Sequence, residues 1–96
     1  MLECCRMASG DSQLERTLKA LANRRRLAIL RVLSRRKEVS VGDIAESIHL
    51  SFKATSKHLG ILAAANIVER EQKSLNMLYR LSEDMPSAAR PIVSTL

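Results

Sequence analysis

Between Asn66 and Ile67 the spacing of apolar residues changes, and this change limits the architectures open to the chain. Before it, leucine, isoleucine and valine recur every three or four residues, the repeat of helices buried along one face. After it, Ile67-Val68-Glu69-Arg70-Glu71 and Met77-Leu78-Tyr79-Arg80-Leu81 read as two short strands. The polar stretch Gln72-Lys73-Ser74-Leu75-Asn76 joins them as a hairpin tip. A run of helices followed by one hairpin is a mainly α, α+β arrangement. The 96 residues suffice for one domain, and a chain so short is only marginally stable alone.

Local signals divide the helical part. Ser12 with Glu15 forms a capping box, so a first helix is expected from Ser12, with Leu14, Leu18 and Leu21 at helical spacing. Residues 1–11 read as a loose tail. Asn23 suits the cap of a second helix, whose stripe is Leu27, Leu30 and Leu33, widened by Ile29 and Val32. Ser40 with Asp43 marks a short third helix over about residues 41–48, with Val41, Ile44, Ala45 and Ile48 inward. His49-Leu50-Ser51 makes a tight connection, and Ser51 caps a fourth helix from Phe52 to about Ala65 with Leu59, Leu62 and Ala63 inward. Asn66 tolerates the left-handed backbone that stops a helix. Beyond Ser82, Pro86 and Pro91 leave room for a final short helix in 83–96. The plan is four to five helices and a two-stranded wing, with residues 12–82 as the principal unit.

Charge narrows the function. The net charge is +6, and nine bases (Arg16, Lys19, Arg24, Arg25, Arg26, Arg31, Arg35, Arg36, Lys37) follow one another without an acid between them. Such a block favours a polyanionic partner, the bland alternative being a solvated helix face. A membrane surface is a poor partner, because the apolar faces are needed for the core. No apolar run is long enough to span a bilayer, and Met1–Gly10 has no signal-peptide core. With Phe52 and Tyr79 as the only aromatics, stacking platforms for single strands are not expected. Cys4 and Cys5 are adjacent and have no other cysteine to pair with, which fits a reducing cytoplasm. His49 and His58 are too far apart for a helical metal pair. No triad, carboxylate pair or phosphate-binding glycine loop is present, so neither an enzyme nor a cofactor is expected.

Two short helices joined by three residues and followed by a hairpin make a winged helix-turn-helix, whose second helix fits the major groove of double-stranded DNA. Lys53, Ser56 and Lys57, with Thr55, are expected on its outward face, and Ser51 at its N-terminus could hold a phosphate. The pieces resemble a known family. Ala20-Leu21-Ala22-Asn23-Arg24-Arg25-Arg26-Leu27-Ala28-Ile29-Leu30 is similar to the opening helices of the ArsR/SmtB repressors. Ser51-Phe52-Lys53-Ala54-Thr55-Ser56-Lys57-His58-Leu59-Gly60-Ile61-Leu62 resembles their recognition helix. Ala65-Asn66-Ile67-Val68 with Leu78-Tyr79-Arg80-Leu81 resembles their wing.

The resemblance implies a homodimeric repressor that binds a twofold operator and releases it to an inducer, with the first helix and the C-terminal segment at the interface. It places Lys53, Ser56 and Lys57 at DNA-contacting positions. Phe52 stands where a polar residue, often Gln, is usual; it would touch a thymine methyl or, the favoured reading, pack inward. His58 would reach a phosphate or pack against the domain. Lys73 is the wing's candidate phosphate contact, although the usual wing glycine is missing. Arg24, Arg25 and Arg26 would flank DNA or sit solvated. Metal-responsive members carry a Cys-Val-Cys-Asp-Leu-Cys pattern in the third helix, where this chain has Ser40-Val41-Gly42-Asp43-Ile44-Ala45. Others use ligands on the last helix, yet no histidine follows His58. Neither common metal site is therefore expected. Cys4 and Cys5, beside Arg6, are either an inert tail or a thiol sensor. A winged-helix module that binds protein is the alternative function, but it has no need of the basic block. The operator and the inducer are left open.

Overall fold

The computed structural model describes residues 9–96, with side chains from Ser12 onward; Cys4, Cys5 and Arg6 lie outside the described residues. Helix α1 (Ser9–Leu21) leads into α2 (Arg24–Arg35), a short strand β1 (Val39–Ser40), α3 (Val41–Ile48) and α4 (Phe52–Ala64). The wing, β2 (Val68–Lys73) and β3 (Asn76–Leu81), follows, and α5 (Ala89–Ser94) closes the chain. All strands are antiparallel in the order β1-β3-β2, with Val39 opposite Tyr79 and Val68 opposite Leu81.

Three helices begin as the local chemistry dictates. The Asn23 side chain accepts from the backbone N–H groups of Arg25 and Arg26 at 2.9 and 3.2 Å. Ser40 Oγ accepts from Asp43 N at 3.2 Å, and Ser51 Oγ from Ala54 N at 3.1 Å. Each removes one of the orphan donors of a helix start. The turn between α3 and α4 is the expected three residues, with His49 left-handed at φ 57° and Leu50 N donating to Ala45 O at 3.0 Å. Asn66, at φ 63°, stops α4, and Ile67 N donates back to Leu62 O at 3.0 Å.

Four features differ from expectation. Helix α1 starts at Ser9, not Ser12; Gly10 weakens a helix without forbidding it, so the capping box is passed over. Its buried residues are Thr17, Ala20 and Leu21, whereas Leu14 and Leu18 are 43% and 48% exposed. Strand β1 escapes periodicity because two residues have no period; pairing with β3 makes it a strand. The wing strands run longer than expected and leave a two-residue tip, Ser74-Leu75, with Ser74 at φ 56° in place of glycine.

Ile29, Leu30, Ile44, Leu59, Leu62 and Ile67 are fully buried at the centre, with Val39, Val68 and Tyr79 from the sheet around them. Helix α5 joins this core through Ala89 and Val93. Pro91 is its third residue, where a missing N–H costs nothing. Thr55 is also fully buried, and its hydroxyl has no hydrogen-bond partner among the described residues. An orphaned buried hydroxyl is destabilising by about 1–3 kcal/mol. Thr55→Val keeps the shape and removes that penalty. We expect it to stabilise the fold by about 1 kcal/mol, raising the Tm by roughly 4–8 °C. A lower Tm on thermal denaturation would show that the hydroxyl is satisfied.

Candidate nucleic-acid interface

Helix α4 is anchored by one row of side chains, Thr55, Leu59 and Leu62, all fully buried. On a helix of 3.6 residues per turn, that row leaves Lys53 and Lys57 on the opposite side, and both are exposed. They are four residues apart and form one cationic ridge on the N-terminal half of the helix. Ser56 lies half-buried beside it, and Ser51 is exposed at the helix start. The Ser51 hydroxyl is engaged with Ala54 N, so the N–H groups before Ala54 are the ones left facing outward.

Two expectations on this helix are corrected. Thr55 is not on the outward face. It continues the Leu59–Leu62 row one turn back, a spacing of four and then three that signals the burial in sequence. Phe52 does not pack inward; it is 62% exposed, because the buried row begins only at Thr55 and the first turn of α4 extends past the core.

His58 lies half-buried on the flank of α4 that faces α2. The Arg26 guanidinium donates through Nη1 to His58 Nδ1 at 3.2 Å, so the neutral ring carries its proton on Nε2. Arg26 Nε also donates to Ala20 O at 2.7 Å, and Nη2 to Lys19 O at 3.2 Å. One side chain thus satisfies the C-terminal carbonyls of α1 and ties them to α4. Arg26 is therefore neither solvated nor a free DNA flank, and no local signal announces its pairing with His58, which lies 32 residues away. Arg24 and Arg25 remain exposed. They border one cleft with Ile48 and His49, which sets two cations of the basic block beside the turn before α4.

Lys73 is at the end of β2, where its ammonium meets Glu38 at 3.0 Å. Glu38 also binds Arg80 Nη1 at 3.1 Å, and Arg80 reaches Glu71 at 2.7 Å and Glu69 at 3.0 Å. The Lys73 hydrogen bond is the main cause holding the Glu38 carboxyl below the usual carboxylate range. Hydrogen bonds from the Ser82 hydroxyl and the Glu83 N–H do the same for Glu69. Lys73 is thus exposed yet already paired, and the wing tip itself presents Leu75, 96% exposed. Among the described residues no cluster of three or more His, Cys, Asp or Glu side chains is arranged to hold a metal, and no helix is long and apolar enough to cross a membrane.

Comparison with known proteins agrees with this geometry. The profile of the bacterial regulatory proteins of the arsR family matches residues 23–70, from the α2 cap into the wing. The chain is 34% identical over 70 residues to the arsenical resistance operon repressor of Bacillus subtilis, covering 73% of this chain and 67% of that one. It is 40% identical over 65 residues to the transcriptional activator HlyU of Vibrio cholerae, covering 68% and 59%. In structure it resembles the homodimeric winged helix-turn-helix DNA-binding domain Mb0332 of Mycobacterium bovis, with a TM-score of 0.80 and 29% identity over 94% of this chain and 80% of that one. The chain belongs to the arsR family of bacterial regulatory proteins. It is a winged helix-turn-helix DNA-binding transcriptional regulator and not an enzyme.

The environment of His58 has a consequence for pH. Burial is the main cause lowering its pKa below the ordinary value near 6.5, and the charges of Arg26, Arg25 and Lys57 add to it. The fold favours the neutral ring. Its contribution to stability is therefore complete above about pH 6.5 and is lost as pH falls toward the folded-state value. Denaturant melts at pH 7 and pH 5 should show a larger loss for the wild type than for His58→Gln, which keeps an acceptor for Arg26 but cannot be protonated. Equal losses would mean that His58 titrates as it does in the unfolded chain.

Proposed function

We propose that this protein is a homodimeric repressor that occupies a twofold operator in the bacterial cytoplasm. The carrying observation is the Lys53–Lys57 ridge, exposed on α4 directly opposite the buried Thr55–Leu59–Leu62 row. An α-helix fits the major groove, and its first turns approach base edges and phosphates. Lys53 and Lys57 donate to phosphates or guanine acceptors, Ser56 supplies a hydroxyl, and the N-terminal N–H groups beside Ser51 face a phosphate. His58 acts indirectly, by fixing α4 against Arg26. Lys73 contributes less than a free lysine would, because Glu38 already neutralises it.

The dimer reading is supported by α1. Leu14 and Leu18 are one turn apart and exposed, and Leu14 and Thr17 border a shallow cleft with Pro86 and Ala88 on the approach to α5. Two exposed leucines on α1, one of them bordering the segment that leads into α5, suit contact with a second copy of the chain. Residues 83–96 then serve both the core and the interface, while the body between α2 and the wing meets DNA. Repression needs only that the dimer cover the operator; of the relatives above, the Bacillus subtilis protein is a repressor and the Vibrio cholerae protein an activator.

Fluorescence anisotropy across a salt series, on the gene's own upstream fragment and on a scrambled duplex, tests the DNA reading. Specific binding should weaken steeply with salt, by about 0.9 in log K per log salt for each phosphate neutralised. Lys57→Ala should flatten that slope by about one unit if its contact is a phosphate, and Lys73→Ala by clearly less. Unchanged binding by Lys57→Ala would place α4 outside the groove. Sedimentation at micromolar concentration should show a dimer, and Leu14→Asp with Leu18→Asp should make it monomeric. A monomeric wild type would refute the dimer.

A further inference from the structure

We propose that Phe52 is a specificity-determining residue whose ring takes up the 5-methyl group of a thymine in the major groove. The inference rests on the placement of α4 proposed above. Phe52 is the first residue of α4, between the capping Ser51 and the exposed Lys53, and is 62% exposed. The other exposed large apolar residues have different settings. Leu14 and Leu18 lie on α1, Ile61 lines a cleft with α1, and Leu75 tips the wing. Only Phe52 stands at the leading end of the helix that enters the groove. Tyr79, the chain's other aromatic, is buried in the sheet.

Helical spacing puts Phe52 one turn before Ser56, on a flank of α4 between the buried row and the Lys53–Lys57 ridge, at the end of the helix that extends past the core. With α4 entering the groove N-terminus first, the ring stands at the end of the helix that comes nearest the base edges. A phenyl ring has no donor or acceptor, so it cannot read the polar pattern of a base pair. The one apolar feature that a base edge presents there is the thymine methyl. The ring would exchange exposed area for contact with that methyl, and a base pair lacking the group would leave the ring facing a polar edge. The result is a preference for A·T at one position of each half-site, beside the charge-based contacts of the lysines.

The test begins by selecting preferred duplexes from a randomised pool with the full-length wild-type protein. Each thymine of the selected site is then replaced singly by uracil, which differs only in lacking the methyl. One thymine per half-site should prove sensitive, with about fourfold weaker binding, the burial value of one methyl group. Phe52→Ala should bind the thymine and uracil forms equally while keeping the wild-type salt slope, since no charge is lost. If no duplex is enriched, the placement of α4 falls, and this assignment with it. If a site is enriched but every methyl is silent, or the uracil penalty is the same in Phe52→Ala, the assignment alone is overturned.

Discussion

The buried row on α4 is the constraint from which the rest of the molecule takes its meaning. Thr55, Leu59 and Leu62 have no exposed surface, and they sit among Ile29 and Leu30 of α2 and Ile44 of α3 in a single core. A helix held along one side cannot turn about its axis without lifting those residues out. The rotational setting of α4 therefore determines which side chains reach solvent, and Lys53 and Lys57 face outward because Thr55 and Leu59 face inward. The set of cations that α4 exposes on one side is a geometric product of packing on the other.

Two long side chains extend that rigidity to the neighbouring elements. Arg26 closes the end of α1 and meets His58, so α1 and α4 share one guanidinium. Glu38, just beyond α2, grips Lys73 and Arg80 and braces the wing against the body. Exposed ion pairs contribute little to stability as a rule. Their geometric effect is separate: each restricts the angle at which a peripheral element leaves the core.

What could be read in the sequence follows from how far apart the interacting groups are. The caps at Asn23, Ser40 and Ser51 and the stop at Asn66 were legible, because they are contacts between a residue and its near neighbours along the chain. The helix-turn-helix order was legible for the same reason. Strand β1 was not, since only its pairing with Tyr79 and Leu78 distinguishes it from a loop. Thr55 is polar, yet its spacing from Leu59 and Leu62 places it inward; here position outweighs residue type. Phe52 is the reverse case, an apolar residue that lies exposed beyond the end of the core. In the candidate site, the lysine ridge followed from periodicity, while the pairings of Arg26, His58, Glu38 and Lys73 join distant parts of the chain and leave no local trace.

The wing's charges have a kinetic meaning. Around the sheet, Arg70, Lys73 and Arg80 are matched in number by Glu38, Glu69 and Glu71, and most of these groups are paired to one another. The hairpin is thus close to electrically silent, whereas α2 and α4 carry bases with few acids nearby. Long-range attraction governs how fast charged partners meet, and short-range fit governs how long they stay together. DNA is therefore drawn toward the helices first. On the proposed placement of α4, a hairpin contact would follow that encounter and bear on the lifetime of the complex rather than on the rate of its formation.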